Sequence, residues 1–119
     1  MSPILTIAKN ITYSDYGSDI LAGTIPPNSI INAISVQVPT AFNAPGTDLL
    51  QIGISGDTDY FAANTELATA TSGATVTRTA ASRGVISATA STDVYLEITH
   101  SGTSASAGSA YVIIECIQL

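Results

Sequence analysis

The sequence predicts an all-β fold: a two-sheet antiparallel sandwich of about eight short strands, jelly-roll-like, with an immunoglobulin-like sandwich as the alternative. Three observations predict it. Apolar residues recur at a period of two in 34–38, 50–54, 94–98 and 110–116, as in strands with one face on a core. Clusters of Pro, Gly, Asn, Asp and Ser punctuate these stretches at short intervals, the turn spacing of a sandwich. The chain has 119 residues, the size of one domain, large enough to hold its own core. One Cys and no Trp leave an immunoglobulin-like domain without its usual Cys pair and core Trp.

Residues 1–29 read as short elements. ILTIA (4–8) and ITY (11–13) are candidate short strands, Tyr13–Gly17 is a turn, and DILAGTI (19–25) is another short strand. Pro26-Pro27-Asn28 ends it, since two prolines cannot sit in a central ladder. The segment is either the first strand pair or an extended arm reaching a neighbouring subunit; residues 30–119 form the sandwich core. Within IINAISVQVPTAF (30–42), Ile34, Val36, Val38 and Phe42 share one parity. NAPGTD (43–48) is a loop, and LLQIGI (49–54) a strand in which Gly53 marks a close approach or a bulge. SGDTD (55–59) is a turn. Tyr60–Thr71 is the one candidate helix, with Asn64 or Thr65 as N-cap and an irregular turn as the alternative. ATVTRT (74–79) is an edge strand on which Arg78 discourages edge-to-edge pairing. GVISA (84–88) is a short strand, and SGTSASAG (101–108) is a loop between the strands DVYLEITH (93–100) and SAYVIIECIQL (109–119).

Those last two strands are expected to pair as a hairpin. Val94, Leu96 and Ile98 then face the core with Ala110, Val112, Ile114 and Cys116. The other face carries Tyr95, Glu97, Tyr111, Ile113, Glu115 and Ile117, and is too apolar to stay wholly wet. Tyr95, Tyr111, Ile113 and Ile117 are therefore the candidate interface residues, covered by the N-terminal segment or by another subunit.

The formal charge is −6, with only Lys9, Arg78 and Arg83 as cations. That argues against nucleic acid and anionic membranes as partners. Charged residues make up only 10%, so the surface is built from Ser, Thr, Asn, Gly and Ala. Such a surface suits either a protein packed against neighbours or a sandwich with Thr-rich outer faces. No apolar run approaches the ~20 residues of a membrane span, and the start, MSPILTIAKN, lacks a signal-peptide pattern; synthesis in the cytoplasm is expected.

Catalytic machinery is not expected. His100 with Cys116, and Asp93 as orienter, would make a nucleophile and base, but the parity of Cys116 buries it as an inert thiol. Asp57 and Asp59 with Asp48 are a weak Ca²⁺ set, since Asp is common in turns for its own backbone bonding. Glu97 and Glu115, if facing, would form a carboxylate pair of the glycosidase kind, although a flat sheet offers no cleft. Tyr95 and Tyr111 are the best pair for stacking a sugar, against ordinary cross-strand packing. No metal or cofactor is expected.

The stretch IPPNSIINAISVQVPTAFNAPGTDLLQIGISGDTDYF (25–61), followed by LATATSGA and the closing GSAYVIIECIQL, resembles small structural proteins of tailed bacteriophages. The residues carrying the likeness are Val38, Thr40, Ala41 and Phe42, then Ile52, Gly53, Ser55, Gly56 and Asp57. It spans about two thirds of the chain and leaves the first 24 residues out. The resemblance implies a virion component: a capsid decoration or cement protein, trimeric, binding the major capsid protein on the outside of the head. Attachment through the N-terminal arm, adding a strand to a neighbour, is one route. A tail, fibre or baseplate module and a carbohydrate-binding sandwich are the alternatives.

Overall fold

The computed structural model describes residues 4–43, 48–66, 74–78, 85, 87–100 and 106–119. These hold eight strands: β1 (Ile4–Thr12), β2 (Ile20–Ile25), β3 (Ser29–Thr40), β4 (Asp48–Ile54), β5 (Asp57–Glu66), β6 (Ala74–Arg78), β7 (Thr92–His100) and β8 (Ser109–Gln118). They form two four-stranded antiparallel sheets, β1-β8-β3-β6 and β2-β7-β4-β5. First pairs with eighth, second with seventh, third with sixth and fourth with fifth. This is one long hairpin rolled up on itself, the jelly roll.

Alternation builds the core. Ile34, Val36 and Val38 of β3 and Ala110, Val112, Ile114 and Cys116 of β8 point inward from the first sheet, and all are buried. Leu50 and Ile52 of β4, Val94, Leu96 and Ile98 of β7, and Ile25 of β2 meet them from the second. Each large aliphatic side chain contributes roughly 1.5–3 kcal/mol before entropy is subtracted. Phe42 and Phe61 are buried in the same cluster.

Bulges decide which residues join this core. In β3 the register against β8 slips between Ile31 and Ala33, leaving Asn32 as the extra residue. Ile31 then pairs with inward Cys116, and Ile30 with outward Ile117. In β2 a slip between Leu21 and Gly23 turns Ile20 and Ile25, of opposite parity in sequence, both toward the core. Pro39 falls where β3 slips against β8 and beyond its pairing with β6, so no ladder bond needs its missing N–H. The expected irregularity at Gly53 is also present, between Ile52 and Ile54 against β5.

Three expectations change, and one open alternative is decided. β7 and β8 do not pair: they lie in different sheets and face each other across the core, so their inward residues were read correctly but their partners were not. Tyr60–Glu66 is strand rather than helix. The two-residue Ser55-Gly56 turn between paired Ile54 and Asp57 returns the chain along β4, and ladder bonds with burial of Phe61 outweigh the modest helix preference of the Ala-rich stretch; residues 67–71 lie outside the described ones. Val85 and Ser87 of the expected strand 84–88 are not in a strand; the Ser87 carbonyl instead accepts a bond from Asn28 N at 2.7 Å. Residues 4–25, for which an arm and a first strand pair were both open, form β1 and β2, each paired inside a sheet.

Candidate interaction surfaces

The outer face of the first sheet is set by the register of β8. Tyr111 lies between Asn10 and Gln37, Ile113 between Ala8 and Ser35, Glu115 between Thr6 and Ala33, and Ile117 beside Ile30. Tyr111 is 45% exposed, and Ile30, Ile113 and Ile117 are half-buried. Glu115, the one carboxylate on this sheet, accepts a 2.6 Å bond from Asn32 Nδ2. The bulge that turns Ile30 outward therefore also supplies the donor. Lys9 stands opposite inward-facing Val112 and is half-buried, an inward charge on an edge strand that deters further pairing.

The outer face of the second sheet is different. Leu21, 49% exposed, Tyr95 and Gly53 share one cross-strand row. Asp93 is next to it, its Oδ1 accepting from Thr24 Oγ1 at 2.8 Å. Beyond lie Glu97 and Gln51, paired across β7 and β4. Asp19, just before β2, holds the Glu97 carboxyl above its ordinary range: a hydrogen bond between the two carboxyl groups leads, then partial burial, then like-charge repulsion. A shallow open depression lined by Ile54, Ser55, Ser91, Thr92, Asp93 and Tyr95 marks one end of this face.

The four candidate interface residues are thus not one patch. Tyr111, Ile113 and Ile117 share the outer face of the first sheet, while Tyr95 is on the opposite side of the molecule. That separation also removes Tyr95–Tyr111 as a pair for one sugar ring, and Glu97–Glu115 as a facing carboxylate pair. Ile30, Ala8 and Ala33 complete the first face and were missed because β8 was paired with the wrong neighbour. Ile30 shares the sequence parity of inward Ile34, and only the bulge at Asn32, defined against β8, turns it outward.

The catalytic pairing dissolves for the same reason. His100 is exposed at the end of β7, edge-to-face with Tyr16 at 4.5 Å between ring centroids. Cys116 is buried on β8, in the other sheet, opposite Leu5 and Ile31. Burial, then the Glu115 charge, pushes its thiol pKa up, away from the reactive thiolate. Asp93 lies seven residues from His100 on one strand, ~23 Å at strand rise. Among the described residues no three His, Cys, Asp or Glu side chains gather as metal ligands; the side chains of Asp48 and Asp59 lie outside the described set.

No known family's sequence model matches the chain, and no curated protein matches it. Solved structures do. A chain of the cyanophage Pam1 capsid asymmetric unit superposes with TM-score 0.72 at 16% identity, over 99% of this chain and 86% of that one. A chain of the acid-stable capsid of Helicobacter pylori bacteriophage KHP30 gives 0.69 at 13%, over 98% and 93%. A chain of the Ralstonia phage GP4 capsid gives 0.67 at 17%, over 100% and 85%. This jelly roll is therefore a fold that three phage capsids contain, in chains little longer than this one.

Proposed function

We propose that this chain is a virion structural protein: a capsid decoration or cement protein that binds the major capsid protein on the outer surface of a phage head, works as a homotrimer and has no enzymatic activity. The observation that carries the reading is the likeness to chains of three phage capsids, nearly end to end on both sides. A match of that extent is to a small capsid chain as a unit, rather than to one piece of a large shell-building chain. The composition agrees. With −6 overall, an outer position avoids the repulsion that packaged DNA would exert. A ligand that binds only the assembled shell stabilises it by mass action, by about 2.7 kcal/mol per site at a hundredfold excess over Kd.

The test is to mix the purified chain with heads of its phage assembled without it. Saturable co-sedimentation, density on the outside of the shell and a higher head-disruption temperature are the expected results. No binding at tens of micromolar, or density confined to the tail or the shell interior, overturns the reading.

A further inference from the structure

We propose that the depression at the Ser55 end of the second sheet is a binding site for a neutral pyranose sugar, held by Asp93, Tyr95 and the hydroxyls beside them. The inference does not rest on the capsid reading above and is tested apart from it.

Three strand ends build the site. Ile54 closes β4, Ser55 begins the turn into β5, Ser91 precedes β7 and Thr92 opens it, and the outward residues Asp93 and Tyr95 of β7 complete the wall. The space is about 300 Å³, at the small end of ligand pockets, which suits a single ring rather than a chain. Tyr95 is half-buried, so the sheet holds its ring. Gly53, its cross-strand neighbour on β4, carries no side chain to stand between that ring and the depression.

The polar groups of the site are largely unspent. Asp93 Oδ1 accepts from Thr24 Oγ1 at 2.8 Å, which fixes the carboxylate and leaves Oδ2. Among the described residues, Oδ2 and the hydroxyls of Ser55, Ser91, Thr92 and Tyr95 bond to no other protein group. Exposed hydroxyls are ordinarily served by water. What sets this group apart is its convergence with a positioned carboxylate and an aromatic ring on one depression.

This chemistry selects the ligand. Hydroxyls donate and accept, whereas a carboxylate oxygen only accepts, so the matching ligand is dense in hydroxyls of its own. A pyranose adds an apolar C–H face, which packs on an aromatic ring. Anions are repelled, because the strands of this sheet hold six acidic residues and no Lys or Arg. A cation would use Asp93 and the ring but would leave four hydroxyl donors idle.

The test is an NMR titration of the full chain, following amide shifts, with methyl glycosides of glucose, galactose, mannose and N-acetylglucosamine, each to about 50 mM. At least one is expected to shift the amides of residues 55 and 91–95. The dissociation constant should be on the order of 1 mM, as about a dozen non-hydrogen atoms support. Asp93→Asn keeps an acceptor for Thr24 and should weaken binding at least ~10-fold, as should Tyr95→Ala. Tyr111→Ala on the opposite face should leave binding unaltered, and thermal melts check that each variant is folded. No shift with any of the four glycosides overturns the proposal. So do shifts centred elsewhere on the molecule, or binding that Asp93→Asn leaves intact. Tetramethylammonium binding more tightly than every glycoside also overturns it, and would make the depression a cation site. Head binding is measured separately: sugar binding by a chain that ignores heads removes the cement reading and keeps this one.

Discussion

At Gly108 the backbone φ is +145°, and a Cβ there would lie 2.6 Å from Cγ and Cδ2 of Phe42. Both the conformation and the space demand glycine. Gly108→Ala is expected to destabilise by about 2–4 kcal/mol, read as a lower denaturation midpoint at unchanged slope. Nothing in the small-residue run 101–108 announces this, because the clash is with a ring more than sixty positions away. Cys116 was legible, since its parity with Val112 and Ile114 buries it. Its thiol should resist modification in the native protein and react only as fast as the chain unfolds. Its pKa is raised on folding above the ordinary 9.0, so the folded state holds the proton more tightly. That contribution is complete below about pH 9 and is lost as pH rises through the folded value, so stability should decline in alkali less steeply for Cys116→Ala.

At the scale of elements, the pair Asp19–Glu97 joins the entry of β2 to β7. The Glu97 pKa is raised above 4.5, so the pair favours folding below the unfolded value and that contribution is lost as pH rises through the folded one. Glu97→Gln should therefore be at least as stable as wild type at pH 7, and should lose its relative advantage below about pH 4.5, as thermal melts across that range would show. Period-two alternation made β3, β4, β7 and β8 legible, and turn residues and apolar runs marked β1, β2 and β6. It failed at β5, where Tyr60–Glu66 has little alternation and the turn at Ser55-Gly56 decides the conformation. It was silent on the bulges at Asn32 and Ala22, since an extra residue is defined only against its partner strand.

For the whole molecule, one core spans both sheets. Leu96→Ala on β7 and Ile114→Ala on β8 should each cost about 2–5 kcal/mol and lower one common unfolding transition in calorimetry; two transitions would mean two separable sheets. The nested pairing also places Ile4 opposite Ile117, nearly the full chain length apart. Such non-local closure predicts folding in milliseconds to seconds or slower, measurable by stopped-flow.

Alternation of side chains is a local property of the strand backbone, so the sequence by itself determined the all-β class, the inward residues of the regular stretches of β3, β4, β7 and β8, the boundary at Pro26-Pro27 and the edge character of 74–78. Strand partnership is set by which distant surfaces bury each other best. Only the tertiary structure could decide that β8 joins β1 and β3 while β7 joins β2 and β4, and so that Tyr95 is separated from Tyr111, Ile113 and Ile117 by the thickness of the sandwich. The division of charge between sheets follows from the same pairing: six of the nine acidic residues fall on strands of the second sheet and one, Glu115, on the first, only when the long hairpin rolls up.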